Sequence, residues 1–342
     1  MSASGERSLS ASTGAPMLVL NAGSSSLKFQ VLVPGSGEVL TKGLVERIGE
    51  DDSSEGDGVA DHRAAMGVVT DQLARAGIDR TGLRAVGHRV VHGGPDFSEP
   101  VLVDDQVVND IRDLVPLAPL HNPGALAGIE AARAAFDAPQ VAVFDTAFFT
   151  SLPPAASTYA IPKQVATKHR VRRYGFHGTS HRYVSRTVAE FLGRPLDSFN
   201  QVVLHLGNGC SASAIAGGVA VDTSMGLTPL QGLVMGTRSG DIDPAVFSYL
   251  HQQVGMGVDH IDTLLNKHSG LKGLAGVNDF REVLSRVDAG DEDAQLAFDV
   301  YVHRLRHYVG AYTAILGGLD VLTFTAGVGE NAPALRAAVV ET

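Results

Sequence analysis

Apolar residues along this chain fall into short strand-like runs, and twice such a run breaks into a Gly- and Ser-rich turn and resumes. Runs at 17–20 and 27–33 flank the turn Asn21-Ala-Gly-Ser-Ser-Ser-Leu-Lys28, and runs at 201–206 and 210–216 flank Gly207-Asn-Gly209. A turn of this composition lets backbone N–H groups approach an anion closely. One copy in each half of the chain predicts two related lobes with a nucleotide between them.

Further strands are predicted at 39–45, 85–91 and 141–144, and helices at 61–76 and 122–136. The second helix starts with Asn122 as N-cap and Pro123 at the first helical position. The first half therefore reads β-β-β-α-β-α-β, and the Pro-rich segment 152–157 marks a boundary. Beyond it come strands at 201–206, 210–216 and 219–221, then a long helix at 291–316. Its apolar stripe is Leu296, Val300, Leu305, Val309, Tyr312 and Leu316. A strand at 321–325 runs into the glycine turn 326–331, and a last helix begins at Pro333.

Length and composition narrow the picture. The 342 residues exceed the roughly 250–300 at which single cores stop growing, so the expected lobes are 17–150 and 151–342. Residues 1–16, rich in Ser, Ala and Gly without an apolar core, read as a disordered tail. A net charge of −10 argues against a nucleic-acid or anionic-membrane surface. No apolar run is long enough for a membrane span. Cys210 is the one cysteine, which excludes an intrachain disulfide framework and fits the cytoplasm.

Several segments carry candidate chemistry. Asn21 to Lys28 offers backbone donors, hydroxyls and a cation suited to phosphate and hydrated Mg²⁺, although an ordinary Gly-Ser hairpin would look the same. Arg89 stands inside an apolar strand and shares a face with Val91; such an arginine pairs with a carboxylate of either protein or substrate. His88 and His92 have H-x₃-H spacing without a third metal-like partner, so zinc is not expected. Asp145 follows an apolar strand and precedes two aromatics, as a helix cap or as a functional carboxylate. His177 precedes a helix capped by Thr179 or Ser180 and stopped by Gly193, where anions are favoured. Arg238 sits between glycines at 236 and 240, ahead of a helix capped by Asp243 with Pro244 at its first position.

As an ordered set, these segments together with 118–123 and 278–281 resemble the acetate kinases, the acetokinase branch of the sugar kinase and actin superfamily. The resemblance runs from about Met17 to the end of the chain. It implies an α/β fold of two ribonuclease-H-like lobes, each a version of βββαβαβα, with the active site in the cleft between them and a homodimer as the assembly. It implies reversible transfer of the γ-phosphoryl of ATP to acetate, giving acetyl phosphate and ADP, with Mg²⁺ or Mn²⁺. Carried over by position, Arg89 binds the carboxylate, and Val91, Leu120, Phe176 and Pro229 line the methyl pocket. Arg238 and His177 stabilise the transferring phosphoryl, and Asp145 matches the essential acidic residue. Asn21 contacts the metal and Lys28 the nucleotide phosphates. His205, Leu206, Gly207, Asn208 and Gly209 meet the phosphates. Asp279, Phe280 and Arg281 meet the adenosine, and Gly327, Val328, Gly329, Glu330 and Asn331 meet base and ribose. Acetate is already ionised at neutral pH, so Asp145 is expected to hold Arg89 or the metal shell rather than move a proton.

Relatives continue past the helix at Pro333 and supply a glutamate to the metal. That second ligand is expected beyond residue 342, and the second lobe is read as truncated. Three alternatives follow: a propionate or butyrate kinase, an actin-like ATPase that switches a partner interface, and an inactive nucleotide-binding fragment. The carboxylate clamp of Arg89 and Arg238 argues against a pure switch.

Overall fold

The computed structural model describes residues 14–49 and 58–341. Most of the segment expected to be a disordered tail lies outside the described residues. The chain divides into two compact units, one of residues 1–92 and 100–144, the other of 93–99 and 145–342.

In the first unit, β1 (Met17–Ala22), β2 (Ser26–Leu32) and β3 (Val39–Glu46) form an antiparallel meander. Helix α1 (His62–Arg75) and β4 (Ala85–Val90) follow. Then come β5 (Val101–Leu102), α2 (Asp105–Asp113), α3 (Asn122–Ala135) and β6 (Gln140–Phe144). The sheet order is β3-β2-β1-β4-β6-β5, with β1, β4 and β6 parallel. Alternation drives the meander: Leu18, Leu20, Leu27, Phe29 and Val31 point inward. They pack on Met66, Val69 and Leu73 of α1 and on Ala131 and Ala132 of α3. Asp61 caps α1 by accepting from the Ala64 amide at 2.8 Å.

The expected cap of α3 is corrected. Asn122 lies inside the helix and His121 holds the cap position. The Asn122 side chain is buried; it accepts from the His92 amide at 3.2 Å and donates to the His92 carbonyl at 3.0 Å. A buried amide is better satisfied by both backbone groups of one residue than by a single helix amide.

The second unit contains α4 (Pro154–Ser157), α5 (Lys163–His169), α6 (Gly178–Leu192), β7 (Asn200–Leu206), β8 (Cys210–Ala216) and β9 (Val219–Thr223). Helices α7 (Ala245–Gln252), α8 (Val258–Lys267), α9 (Gly270–Ala275), α10 (Phe280–Asp288) and α11 (Glu292–Leu316) follow. The chain then forms β10 (Val321–Thr325), α12 (Ala326–Asn331) and α13 (Pro333–Val340). The sheet order is β10-β7-β8-β9, with β10 parallel to β7.

Strands β7 and β8 are buried almost throughout, as expected of strands covered on both faces. Two helix details differ from expectation. The buried residues of α11 are Ala294, Ala297, Tyr301, Val302, Leu305 and Tyr312, whereas Leu296 is exposed. Small alanines, which an apolar-size pattern overlooks, are the buried residues of the first turns. Thr179 and Ser180 are not caps either: α6 begins at Gly178, and His177 takes the cap position with φ +59°. Gly193 does end α6 in the left-handed conformation.

Candidate active site

In the first unit, the turn after β1 is set by backbone contact. The Gly23 amide donates to the Ser26 carbonyl at 2.7 Å, and His62 Nε2 lies 2.8 Å from the Gly23 carbonyl. Helix α3 packs directly on this turn at Gly124. A Cβ there would fall 2.4 Å from the Gly23 oxygen, so only glycine permits the approach.

Asn21 and Lys28 are register partners across the hairpin. Lys28 is exposed and Asn21 half-buried. Arg89, near the carboxyl end of β4, donates from Nη1 to Asn21 Oδ1 at 3.3 Å. Val91 stands just beyond that strand, half-buried, and Leu120 is exposed between Ala118 and α3. His88 is buried with its Nε2 2.7 Å from Gln140 Oε1, and burial lowers its pKa. His92 is fully buried, and loss of solvent lowers its pKa to about 4. Both rings are therefore neutral parts of the core.

The second unit gathers the remaining candidates around β7 and β8. Beyond Leu206 the turn closes with the Gly207 amide donating to the Gly209 carbonyl at 3.1 Å. A Cβ placed on Gly209 would lie 3.3 Å from Arg238 Nη1, 3.5 Å from His177 Cε1 and 3.7 Å from His177 Nε2. The turn, the guanidinium and the imidazole thus converge. Phe176, beside His177, is buried. His177 stacks on His205 with ring centroids 4.3 Å apart, and His205 Nδ1 lies 2.8 Å from Ser180 Oγ.

Asp145 is buried where the chain leaves β6. Its carbonyl accepts from the Gly178 amide at 2.8 Å, and Thr179 Oγ1 lies 3.4 Å from its Oδ1. The carboxylate is thereby tied to the first turn of α6.

Arg238 is held by a backbone frame. Its Nη1 donates to the Pro229 carbonyl at 3.1 Å. The amides of Ser269, Leu271 and Lys272 at the start of α9 donate to the carbonyls of Thr237, Met235 and Gly236 at 3.0, 2.9 and 2.9 Å. Helix-start amides that would otherwise lack partners therefore carry the arginine loop. Asp241 closes its far side: Oδ1 accepts from the Gly232 amide at 3.0 Å and Oδ2 from Tyr308 OH at 2.6 Å. Asp243 is not the cap of α7: Pro244 holds the cap position, and Asp243 Oδ1 accepts from the Ala245 amide at 2.9 Å from one residue further out.

Two nucleotide-side segments flank this turn. The Gly236 amide donates to the Asn208 carbonyl, and Asn278 Nδ2 donates to Asn208 Oδ1 at 3.1 Å. Asp279 caps α10 and takes a two-point bond from Arg281, at 3.0 and 2.6 Å, which holds its pKa down at about 2. Phe280 is buried against Tyr301, ring centroids 5.2 Å apart. Thr325 pairs with His205, so the 326–331 segment begins beside the β7 turn. There Glu330 Oε1 accepts from the Ala326 amide at 3.2 Å, and a Cβ on Gly329 would lie 3.7 Å from the Leu206 side chain.

The sequence assigns no individual role to Ser211, Asn278, Asp241 or Tyr308, which make hydrogen bonds to partners distant in the chain. The fully buried glycine at 270 carries a backbone contact that no local pattern signals.

Glycine turns at strand ends, an arginine and a histidine that meet over one of them and two α/β units fit a nucleotide-dependent phosphotransferase of the two-lobed class. The acetokinase family model matches residues 16–342, and the chain belongs to that family. It is 57 % identical over 340 residues to an acetate kinase of Streptomyces coelicolor, spanning 95 % of this chain and 84 % of that one. The crystal structure of Porphyromonas gingivalis acetate kinase superposes with a TM-score of 0.90 at 42 % identity, over 95 % of this chain and 86 % of the other. A propionate kinase from Francisella tularensis gives a TM-score of 0.90 at 42 % identity, over 95 % and 87 %.

Proposed function

We propose that this chain transfers the γ-phosphoryl group of ATP to acetate, reversibly, giving acetyl phosphate and ADP. The observation that carries the reading is the convergence of the Gly207–Gly209 turn, His177 and Arg238 in a member of the acetokinase family. Phosphoryl transfer asks the protein for positioning and charge stabilisation rather than covalent chemistry. An acetate oxygen forms the new bond to the γ-phosphorus, the bond to the β–γ bridging oxygen breaks, and that oxygen leaves on ADP.

Arg89 binds the acetate carboxylate, with Asn21 Oδ1 holding one end of its guanidinium. Val91, Leu120, Phe176 and Pro229 bound the methyl group. Arg238 and His177 donate to the equatorial phosphoryl oxygens as charge builds on them. Lys28 and the 205–209 turn hold the phosphates. Asp279 and Arg281 flank the adenosine together with Gly327, Val328, Gly329, Glu330 and Asn331. Phe280 supports them from the core.

A divalent cation and ATP or ADP go with the family. Among the described residues no three His, Cys, Asp or Glu side chains form a metal cluster. Oxygen donors at Asn21, Ser24 and Ser25 suit a hard cation that keeps water and phosphate in its shell, so we assign Mg²⁺, with Mn²⁺ as an alternative. When bound, the cation neutralises phosphate charge. Asp145 orients that shell rather than moving a proton, and Asp145→Asn should alter the Mg²⁺ dependence of the rate.

The reading places the chain in the cytoplasm as a homodimer that binds neither nucleic acid nor membrane. The net charge of −10 and single cysteine support it, and no described helix is long and apolar enough to cross a membrane. Sedimentation checks the dimer.

The test is trapping of acetyl phosphate as its hydroxamate with ATP, Mg²⁺ and acetate. Product from the wild type and its loss in Arg89→Ala are expected; no product from the wild type overturns the reading. A second reading, propionate as acceptor, is favoured by the Francisella neighbour matching at the same identity and TM-score. Relative rates on acetate, propionate and butyrate decide between them.

A further inference from the structure

Behind His177 runs a line of buried side chains that no phosphate contact requires. Ser211 Oγ lies 2.9 Å from His177 Nδ1 and 2.7 Å from His181 Nε2. His181 Nδ1 lies 2.7 Å from Ser213 Oγ. Ser211, His181 and Ser213 are all fully buried, so no bulk water competes for these bonds.

The proton count of this line is restrictive. A serine hydroxyl has one proton to donate, and Ser211 faces two ring nitrogens. Both rings could donate to its two lone pairs, but the buried O–H would then face no acceptor; the satisfied arrangement has one ring giving Ser211 a proton and the other taking one. A neutral imidazole likewise donates at one nitrogen and accepts at the other. His181 is held neutral: burial lowers its pKa well below the ordinary value, and His205 adds to the effect.

We propose that Ser211 is a positioning residue that fixes the neutral His177 ring as its Nε2–H tautomer and aims that N–H at the phosphoryl site. The chain of donation runs from Ser213 O–H to His181 Nδ1, from His181 Nε2–H to Ser211 Oγ, and from Ser211 O–H to His177 Nδ1. In this direction His181 and Ser211, the two inner members, each donate once and accept once. With Nδ1 occupied, the nitrogen left facing the Gly209 turn and Arg238 is Nε2, in accord with its 3.7 Å distance from a Cβ at Gly209. The opposite direction would place the proton on Nδ1 and turn a lone pair toward the anionic phosphoryl, a repulsive contact. His205, stacked on the other face, limits tilting of the ring. Ser211 touches no substrate group and acts through His177.

This inference rests on the reading that His177 faces the transferring phosphoryl group. Its test has two arms on the full chain. In the kinetic arm, Ser211→Ala lowers kcat by about 10- to 100-fold, the range expected when a donor is misplaced near a reacting centre, while KM for acetate and ATP changes far less. Ser211→Thr keeps the hydroxyl and restores most of kcat. Arg238→Ala is the control for the site itself: full activity in that variant overturns both the site reading and this one. Loss of activity in Arg238→Ala with an undiminished kcat in Ser211→Ala overturns the positioning role alone. Equal loss in the Ala and Thr variants, both folded, does the same.

The spectroscopic arm reads the relay in the wild-type protein. In wild-type protein labelled with ¹⁵N-histidine, at a pH where the ring is neutral, His177 should show a fixed Nε2–H pattern, with His177→Gln supplying the assignment. Averaged nitrogen shifts of exchanging tautomers, or a fixed Nδ1–H pattern, overturn the proposal.

Discussion

Gly270 offers a decisive perturbation because its two demands separate cleanly. Its φ is +63°, and a Cβ there would fall 2.1 Å from the Met235 carbonyl oxygen and 2.6 Å from that of Arg238. Six residues on, at the other end of α9, Gly276 has φ +74° with nothing within 4 Å of a Cβ. Alanine at either position meets left-handed strain of about 1–2 kcal/mol. At Gly276 that is the whole effect. At Gly270 the methyl also strikes two backbone oxygens that cannot rotate away.

Real Cβ contacts do not fall below 3.0 Å, so the Met235–Arg238 backbone must retreat by about 1 Å. Three backbone hydrogen bonds from Ser269, Leu271 and Lys272 hold that backbone, and the movement is passed to the guanidinium. A misplacement of about 1 Å at a reacting centre costs roughly 100-fold in rate. Gly270→Ala should therefore reduce hydroxamate-trapped acetyl phosphate by about that factor, whereas Gly276→Ala loses about 1–2 kcal/mol in urea unfolding and keeps its kcat. Equal kcat in the two variants would refute the claim that the start of α9 sets the position of Arg238.

Other expectations follow from the same geometry. Gly124→Ala, whose Cβ would meet the Gly23 oxygen at 2.4 Å, should displace the Asn21–Lys28 turn and raise KM for ATP and Mg²⁺; an unchanged KM would separate that turn from the nucleotide. Buried His92 has a folded pKa of about 4 against an ordinary 6.5. The unfolded chain takes up its proton first, so stability falls between pH 6.5 and 4, by up to about 3 kcal/mol for this residue. Urea unfolding at pH 7 and pH 4.5 should show the drop, reduced in His92→Gln. Cys210 is fully buried beside Tyr301 OH at 3.1 Å, and burial pushes its thiol up to about 11; a thiol reagent at pH 8 should label it only after unfolding.

Much of the scaffold is legible because its code is local. Alternation in 17–32 and the Gly-Ser turn at its centre dictate the β1–β2 hairpin, and Gly193, which has no Cβ to clash in the left-handed conformation, marks the end of α6. Expectation and structure part where a residue's partner is remote. Asn122 has the chemistry of a cap, yet His92, thirty residues earlier in the chain, engages both ends of its amide. The stripe in α11 misleads for a related reason. Large residues such as Leu296 stand out by hydropathy, while the face that packs is opened by Ala294 and Ala297. At the site, Arg89, His177 and Arg238 are visible as two guanidiniums and an imidazole among apolar or glycine neighbours. The groups that aim two of them are not: Ser211 for His177 and Gly270 for Arg238 are ordinary residues made special by what lies across from them.

Strand direction explains why the candidate residues of each unit belong together. In the first unit β1, β4 and β6 are parallel. Asn21 and Arg89 fall at the carboxyl ends of β1 and β4. In the second unit β7 and β10 are parallel, and the 207–209 turn and the 326–331 segment leave their carboxyl ends. Parallel strands end with like polarity, so their exits lie side by side, and ligands of open α/β sheets bind at that edge. Side chains separated by tens of residues are thereby collected without any local signal to bring them together. The duplicated strand–turn–strand pattern is the visible trace of this arrangement. Its glycines make a tight turn in each unit: in one beside an arginine held by Asn21, in the other beneath an arginine and a histidine that meet over Gly209.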